Sequence, residues 1–214
     1  MQWSPKPLPD NDKIKHLQSE IGVPQEIATL LLQRGIDDYE SAKSFFRPEL
    51  SDLHDPFQML GMREAVYRIF QAVQKEEKIM VYGDYDVDGT TAVALVYSFL
   101  KKIHPHCIYY IPDRHEEGYG ISTKGIDQAK GENIGLIIAM DCGIKAVDKV
   151  AYAKTLGIDF IICDHHLPSE VLPKAVAILD PKQPECSYPF KELCGCGIGF
   201  KLIQALNQEQ GGTM

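Results

Sequence analysis

After residue 78 the chain repeats one pattern to its end: a short unbroken apolar run, then a stretch with helical spacing. The apolar runs are "KIMVY", "CIYYI", "GLIIAM", "DFIIC" and "AVAILD". The helical stretches are "TTAVALVYSFLKKI", "STKGIDQAKG", "IKAVDKVAYAKTLG" and "GIGFKLIQALNQ". A strand with one wet face alternates polar and apolar residues. Strands apolar throughout must be covered on both faces, and that requires parallel strands joined by helical crossovers. The pattern predicts an α/β fold: an open, mostly parallel five-stranded sheet with helices on both faces.

The chain before that point reads differently. "DKIKHLQSEIG" places Ile14, Leu17 and Ile21 on one helical face, and "PQEIATLLLQRG" runs from Pro24 to Gly35, a helix start and stop. "YESAKSFFRP" is a short helix ended by Pro48. "MREAVYRIFQAVQKEEK" sets Val66, Ile69, Phe70 and Val73 on one stripe, and the charged run Lys75 to Lys78 reads as a solvated helix end. These readings predict a small helical N-terminal region over 1–78 and the α/β domain over 79–214.

Ligands of open α/β sheets bind beyond the carboxyl ends of the strands. Here those ends are crowded with acids. The first run leads into Asp84, Asp86 and Asp88 within "VYGDYDVDGTT"; the third ends at Asp141 in "MDCG"; the fourth at Asp164, His165 and His166; the fifth at Asp180. The second leads into "PDRHEEGYG", which carries Arg114. Carboxylates gathered on one rim raise each other's pKa steeply unless cations neutralise them. Oxygen ligands alone suit Mg²⁺, and added imidazoles favour Mn²⁺, Fe²⁺ or Zn²⁺. A metal pair about 4 Å apart would serve displacement at phosphorus.

Taken singly, each residue also has an ordinary explanation. Asp88 before Gly89 fits a helix N-cap. Asp180 before Pro181 fits a turn. Arg114 fits a surface ion pair, and the histidines fit a solvated loop. Acids at three strand ends together are hard to explain by capping. The net charge of −8 agrees with cation binding and disfavours a simple nucleic-acid binder, which carries a basic face. "GDYDVDG" is not a dinucleotide fingerprint, and its acids would repel a pyrophosphate. The six cysteines suit a reducing compartment; Cys186, Cys194 and Cys196 match no common zinc spacing and read as structural thiols. No apolar run is long enough to cross a bilayer, and the N-terminus lacks a signal-peptide core, so a cytoplasmic location is expected.

Three of these segments, "DYDVDG", "MDCG" and "DHH", resemble in order the first three motifs of the DHH phosphoesterase superfamily. "RGIDDYESAKSFFRPELSDLHDPF", "IPDRHEEGYGIS" and "LCGCGIGFKL" resemble its RecJ-type single-strand exonucleases, and the likeness runs from about Lys13 to Leu206. The resemblance implies hydrolysis of phosphodiesters with two Mn²⁺ or Mg²⁺ ions. It implies metal ligands at Asp84, Asp86, Asp88, Asp141 and His165, with Asp141 bridging or adjoining both ions. It gives His166 a ligand role or a contact to the scissile phosphate, Asp164 an orienting role behind a histidine, and Arg114 a grip on a backbone phosphate. Tyr82 stands where many members have histidine, and Asp84 is expected to take part of that role. The family's fourth motif and its C-terminal domains would lie beyond Met214, so the resemblance implies an N-terminal fragment of low activity alone.

The function expected is a 5′-to-3′ exonuclease on single-stranded DNA in recombination and repair, with a single-strand-binding protein or a helicase as company. One alternative is a phosphodiesterase for short oligonucleotides or cyclic dinucleotides. Others are an inactive nucleic-acid-binding scaffold and a phospho-acceptor domain modified at Asp141, although the latter has no use for tandem histidines.

Overall fold

The computed structural model describes residues 4–211. The chain divides into two compact units, with the boundary between Leu53 and His54. In the first, helices α1 (Asn11–Ile21), α2 (Gln25–Leu32) and α3 (Tyr39–Phe46) follow one another. Asp10 caps α1 by accepting from Asp12 N, and Gly22 ends it at a left-handed φ of 69°. Asp38 and Ser41 form a capping box on α3. Ile14, Leu17, Ala28 and Leu31 are the buried centre of this unit.

The second unit is the expected α/β domain. Its strands are β1 (Lys78–Gly83), β2 (Cys107–Tyr110), β3 (Ile134–Met140), β4 (Asp159–Cys163) and β5 (Ala177–Leu179). They form one sheet in the order β2-β1-β3-β4-β5, with every pairing parallel. The chain therefore steps from β1 to β2 in one direction, through α5 (Val87–Ile103). It returns past β1 to β3 through α6 (Thr123–Gly131) and goes on to β4 through α7 (Val147–Thr155). Parallel crossovers are right-handed, so opposite directions of travel put the helices on opposite faces. Val93, Val96 and Leu100 of α5 pack with Ile79, Val81, Leu136 and Ile138 on one face. Ile126 and Ala129 of α6, with Val150 and Ala153 of α7, pack with Met80, Tyr82, Ile137 and Phe160 on the other. Alternate residues of each strand thus serve two cores, which is why the runs are apolar without a break.

Helix α4 (Met62–Gln74), which precedes residue 78, belongs by its packing to the second compact unit. Its residues Met62, Ala65, Val66 and Ile69 are buried in the same core as α5 and α8 (Gly195–Glu209), whereas Phe70 and Val73 are only partly buried. The stripe that suggested a separate helical region is the face by which α4 joins the sheet unit. The charged run after it is not simply solvated either. Arg68 is buried and holds Glu77 at 2.6 Å and Asp159 at 2.7 Å, tying the end of α4 to the start of β4. Among the described residues no helix is long and apolar enough to cross a membrane.

Candidate metal centre

The strand order reverses between β1 and β3, because β1 sends its chain one way and β3 the other. The loops leaving those two strands therefore diverge and open a crevice above their carboxyl ends, the usual ligand position in such sheets. Asp84, Asp86 and Asp88 leave β1 on one side of it, and Asp141 leaves β3 on the other.

Asp86 is the N-cap of α5, its Oδ1 accepting from Gly89 N at 2.8 Å. The capping explanation considered for Asp88 thus belongs two residues earlier. Asp88 lies in the first turn, and its two oxygens accept from Gly195 N at 2.6 Å and Cys196 N at 2.8 Å. Those amides start α8, so the first turns of two helices meet through one carboxylate. Asp84 is buried, and its Oδ1 has no hydrogen-bond donor. Burial first, then the charge of Asp86, raises its carboxyl above the ordinary range, while the Tyr85 amide, His166 and Arg114 pull the other way. Gly89 admits no side chain here, since a Cβ would lie 2.6 Å from the Asp84 carbonyl oxygen.

Asp141 is buried and sits at a left-handed φ of 59°, a conformation aspartate tolerates better than most residues. Its Oδ1 lies 3.0 Å from His165 Nε2 but in no hydrogen-bond alignment, and it has no other partner. Burial, then the charges of Asp88, Asp86 and Asp164, pushes the Asp141 carboxyl up to about 8. His165 Nε2 is also 3.6 Å from Asp88 Oδ2.

Asp164 plays a different part. Its Oδ1 accepts from His165 N at 2.7 Å and from His166 N at 3.2 Å, and lies 2.7 Å from His166 Nδ1. Its Oδ2 accepts from Ile144 N at 2.9 Å. Both oxygens are engaged by backbone or imidazole donors, so Asp164 orients the tandem histidines. A carboxylate accepting a hydrogen bond from Nδ1–H holds the proton on that nitrogen and leaves Nε2 as the acceptor. His166 Nε2 meets the Tyr119 hydroxyl at 3.1 Å. Ligand atoms of Asp141, His165 and His166 all lie within 4.8 Å of one another.

Asp180 makes the expected turn, with Oδ1 accepting from Lys182 N at 2.8 Å. It is nevertheless fully buried with Oδ2 unpartnered, and burial raises its carboxyl to about 6. Arg114 has no carboxylate within ion-pair distance among the described residues, and its guanidinium carbon lies 5.3 Å from the centre of the Tyr85 ring. Tyr82 does not face the crevice chemistry. Its hydroxyl donates to Gly120 O at 2.9 Å and accepts from Ser122 N at 3.0 Å, pinning the loop that carries Arg114 and Tyr119.

Two parts of the site had no signal strong enough to find in the sequence. The α8 start comes from more than a hundred residues away, and only the glycines of "LCGCGIGF" hint at a close approach. Tyr119 is flanked by Gly118 and Gly120, both at left-handed φ, which is a turn signal and not a site signal.

The profile described as the DHH family, N-terminal domain, matches residues 78–214. The chain belongs to the DHH family. Among relatives of this DHH domain, the single-stranded-DNA-specific exonuclease RecJ of Bacillus subtilis is 47% identical over 96% of the chain, which spans 26% of that protein. The protein of the same name from Thermus thermophilus is 28% identical over 99% of the chain and 30% of its own length. The chain thus spans between a quarter and a third of these relatives. A crystal structure of exonuclease RecJ bound to manganese superposes with a TM-score of 0.67 at 29% identity, over 72% of this chain and 39% of that one. The Thermus thermophilus RecJ complex with Mn²⁺ gives a TM-score of 0.76 at 25% identity, over 96% of this chain and 28% of that one.

Proposed function

We propose that this DHH domain is the catalytic part of a metal-dependent 5′-to-3′ exonuclease for single-stranded DNA in recombination and repair. The observation that carries the metal reading is the buried, donorless Asp141 carboxylate oxygen 3.0 Å from His165 Nε2, with a second donorless carboxylate oxygen on the buried Asp84. Leaving one ionised carboxylate buried and unpaired is costly, and a cation satisfies several at once. The donor set of aspartate oxygens and imidazole nitrogen fits Mn²⁺ or Mg²⁺. Asp84, Asp86, Asp88, Asp141 and His165 would hold the ions, with Asp141 between the loops. Bound there, divalent ions lower the pKa of a coordinated water and neutralise phosphoryl oxygens.

The chain's own residues then position the substrate. Asp164 fixes His166 with Nε2 as the acceptor, toward the Tyr119 hydroxyl. Tyr119 keeps its phenolic proton, because burial and the charges of Asp164, Asp84 and Asp141 raise it well above the ordinary range. Its hydroxyl can therefore donate to His166 Nε2, 3.1 Å away. Arg114, without a carboxylate partner and held over Tyr85, presents its planar fork to a backbone phosphate. The single-strand substrate is what the names of the relatives point to. A cytosolic setting and a single-strand-binding protein or helicase nearby belong to the same reading.

The test compares 5′-labelled and 3′-labelled single strands with a duplex, in Mn²⁺ and in chelator, using the chain within its whole reading frame. Mononucleotides released first from the 5′ end of single strands, and only with metal, are expected. Hydrolysis confined to cyclic dinucleotides or short oligoribonucleotides would favour the small-nucleotide phosphodiesterase. No metal-dependent release at all would leave the scaffold.

Arg114 gives a separate expectation. Arg114→Ala should weaken single-strand binding about tenfold, the scale of one charge-assisted contact. Arg114→Lys should recover only part of it, since lysine lacks the fork. Filter binding at fixed salt measures both, and parental affinity in the two variants would remove Arg114 from the substrate path.

A further inference from the structure

Two thiols flank the backbone that holds the centre together, and the hydrolysis uses neither. Cys194 is exposed and is the N-cap of α8, its Sγ accepting from Gly197 N at 3.4 Å. Cys196, two residues on, is half-buried. Between them the amides of Gly195 and Cys196 clasp Asp88 at 2.6 and 2.8 Å. Gly195 also lies so close to Asp141 that a Cβ would sit 2.6 Å from the aspartate's own Cβ. Cys186 takes no part, being buried with its Sγ 3.5 Å from Leu60 N.

Residues two apart on helical backbone have Cα atoms about 5.4 Å apart. That lies inside the range of roughly 4.4–6.8 Å over which disulfides form. Their side chains, however, point to different sides of a helix. A bridge from Cys194 to Cys196 therefore requires Gly195 to leave the helical conformation, which glycine does at little cost. Once it leaves, its amide no longer points at Asp88.

We propose that Cys194 and Cys196 are a redox-sensitive dithiol whose oxidation to a disulfide opens the α8 clasp on Asp88 and Asp141 and weakens cation binding. The proposal rests on the reading of those aspartates as cation ligands. The oxidant is hydrogen peroxide. The exposed Cys194 sulfur attacks one peroxide oxygen, the O–O bond breaks, and water leaves with the thiol proton, giving a sulfenic acid. The Cys196 sulfur then forms the S–S bond, the S–O bond breaks, and a second water leaves. Two thiols lose two electrons and the peroxide gains them. Because coupling between two events is reciprocal, a bound cation must also protect the thiols.

The experiment treats the reduced protein with hydrogen peroxide and maps the cysteine peptides. Hydrogen exchange at the Gly195 and Cys196 amides and Mn²⁺ affinity by calorimetry are then read before and after. The expected result is a Cys194–Cys196 disulfide, faster exchange at both amides and about tenfold weaker Mn²⁺ binding, the scale for losing a group that orients a ligand. Dithiothreitol should reverse all three, and saturating Mn²⁺ should slow the oxidation. In Cys194→Ser, which keeps a good N-cap, and in Cys196→Ala, peroxide should leave each variant's own Mn²⁺ affinity unchanged. Absence of the disulfide, or a disulfide with both amides still protected, overturns the proposal. If the reduced protein binds no Mn²⁺, the cation reading fails by itself, and the exchange at the two amides still decides whether the clasp opens.

Discussion

Asp141→Asn should abolish measurable Mn²⁺ binding and reduce metal-dependent hydrolysis by more than about a hundredfold, beyond the usual cost of losing a group that merely orients a ligand. Asparagine is the informative replacement because residue 141 sits at a φ of 59°. Alanine there would add backbone strain to the loss of charge, whereas asparagine accepts the left-handed region. The same substitution should raise stability in chelator. An unfolded aspartate ionises near pH 4, but burial and three neighbouring carboxylates keep the folded Asp141 protonated up to about 8. Between those values the folded state binds the extra proton, so this residue's contribution to stability falls as pH rises through the window. Asparagine carries no such charge. The variant should therefore melt higher than the parent in chelator at pH 8, on the order of 5 °C, with the gap shrinking toward pH 4. Saturating Mn²⁺ should raise the melting temperature of the parent and leave the variant where it is. Parental Mn²⁺ affinity in Asp141→Asn, or a melting gap that does not change with pH, would remove Asp141 from the centre.

Gly195→Val is the second large effect expected, although residue 195 offers no side chain to any ligand. A Cβ at this position would lie 2.6 Å from Asp141 Cβ and 2.8 Å from both its Cγ and its Oδ1. Replacing glycine in a helix normally gains propensity, up to about 1 kcal/mol for alanine. Here overpacking against an immobile buried carboxylate dominates, at about 1–3 kcal/mol or more. The helix start must retreat, and its amides withdraw from Asp88. The expected outcome is a lower urea midpoint together with at least about tenfold weaker Mn²⁺ binding. Gly131→Ala in α6 is the control, since a Cβ there meets nothing within 4 Å. A Gly195→Val protein that binds Mn²⁺ like the parent would show that the α8 start does not hold the centre. A smaller drop in Gly195→Ala than in Gly195→Val would show the loss scaling with volume.

Both predictions turn on a neighbour that local pattern does not reveal. Each element could be read locally: unbroken apolar runs gave the strands, and Asp10 and Asp38 stand just before the helices they cap. The acids could be read as well, because Asp84, Asp141, Asp164 and Asp180 follow directly on apolar runs and must lie at strand ends. The packing partner of α4 could not. The stripe on α4 states that one face is buried, and nothing in it states against what; packing against the α5 and α8 side of the sheet placed it in the second unit.

The sequence alone determined that the sheet is parallel and that its carboxyl rim is acidic and carries two histidines, because hydrophobic period and charge are properties of each segment by itself. Only the tertiary structure decided which acids share a crevice. Asp86 and Asp88 come within reach of Asp141 because β3 lies beside β1 and not beside β2, an order set by crossover direction. Asp88 is held by amides of α8 and His166 by Asp164 and Tyr119, through contacts between segments far apart in the chain or across a turn. Periodicity records how deeply a residue is buried. It carries no record of its partner, and a carboxylate's charge, ligand capacity and pKa depend on the partner.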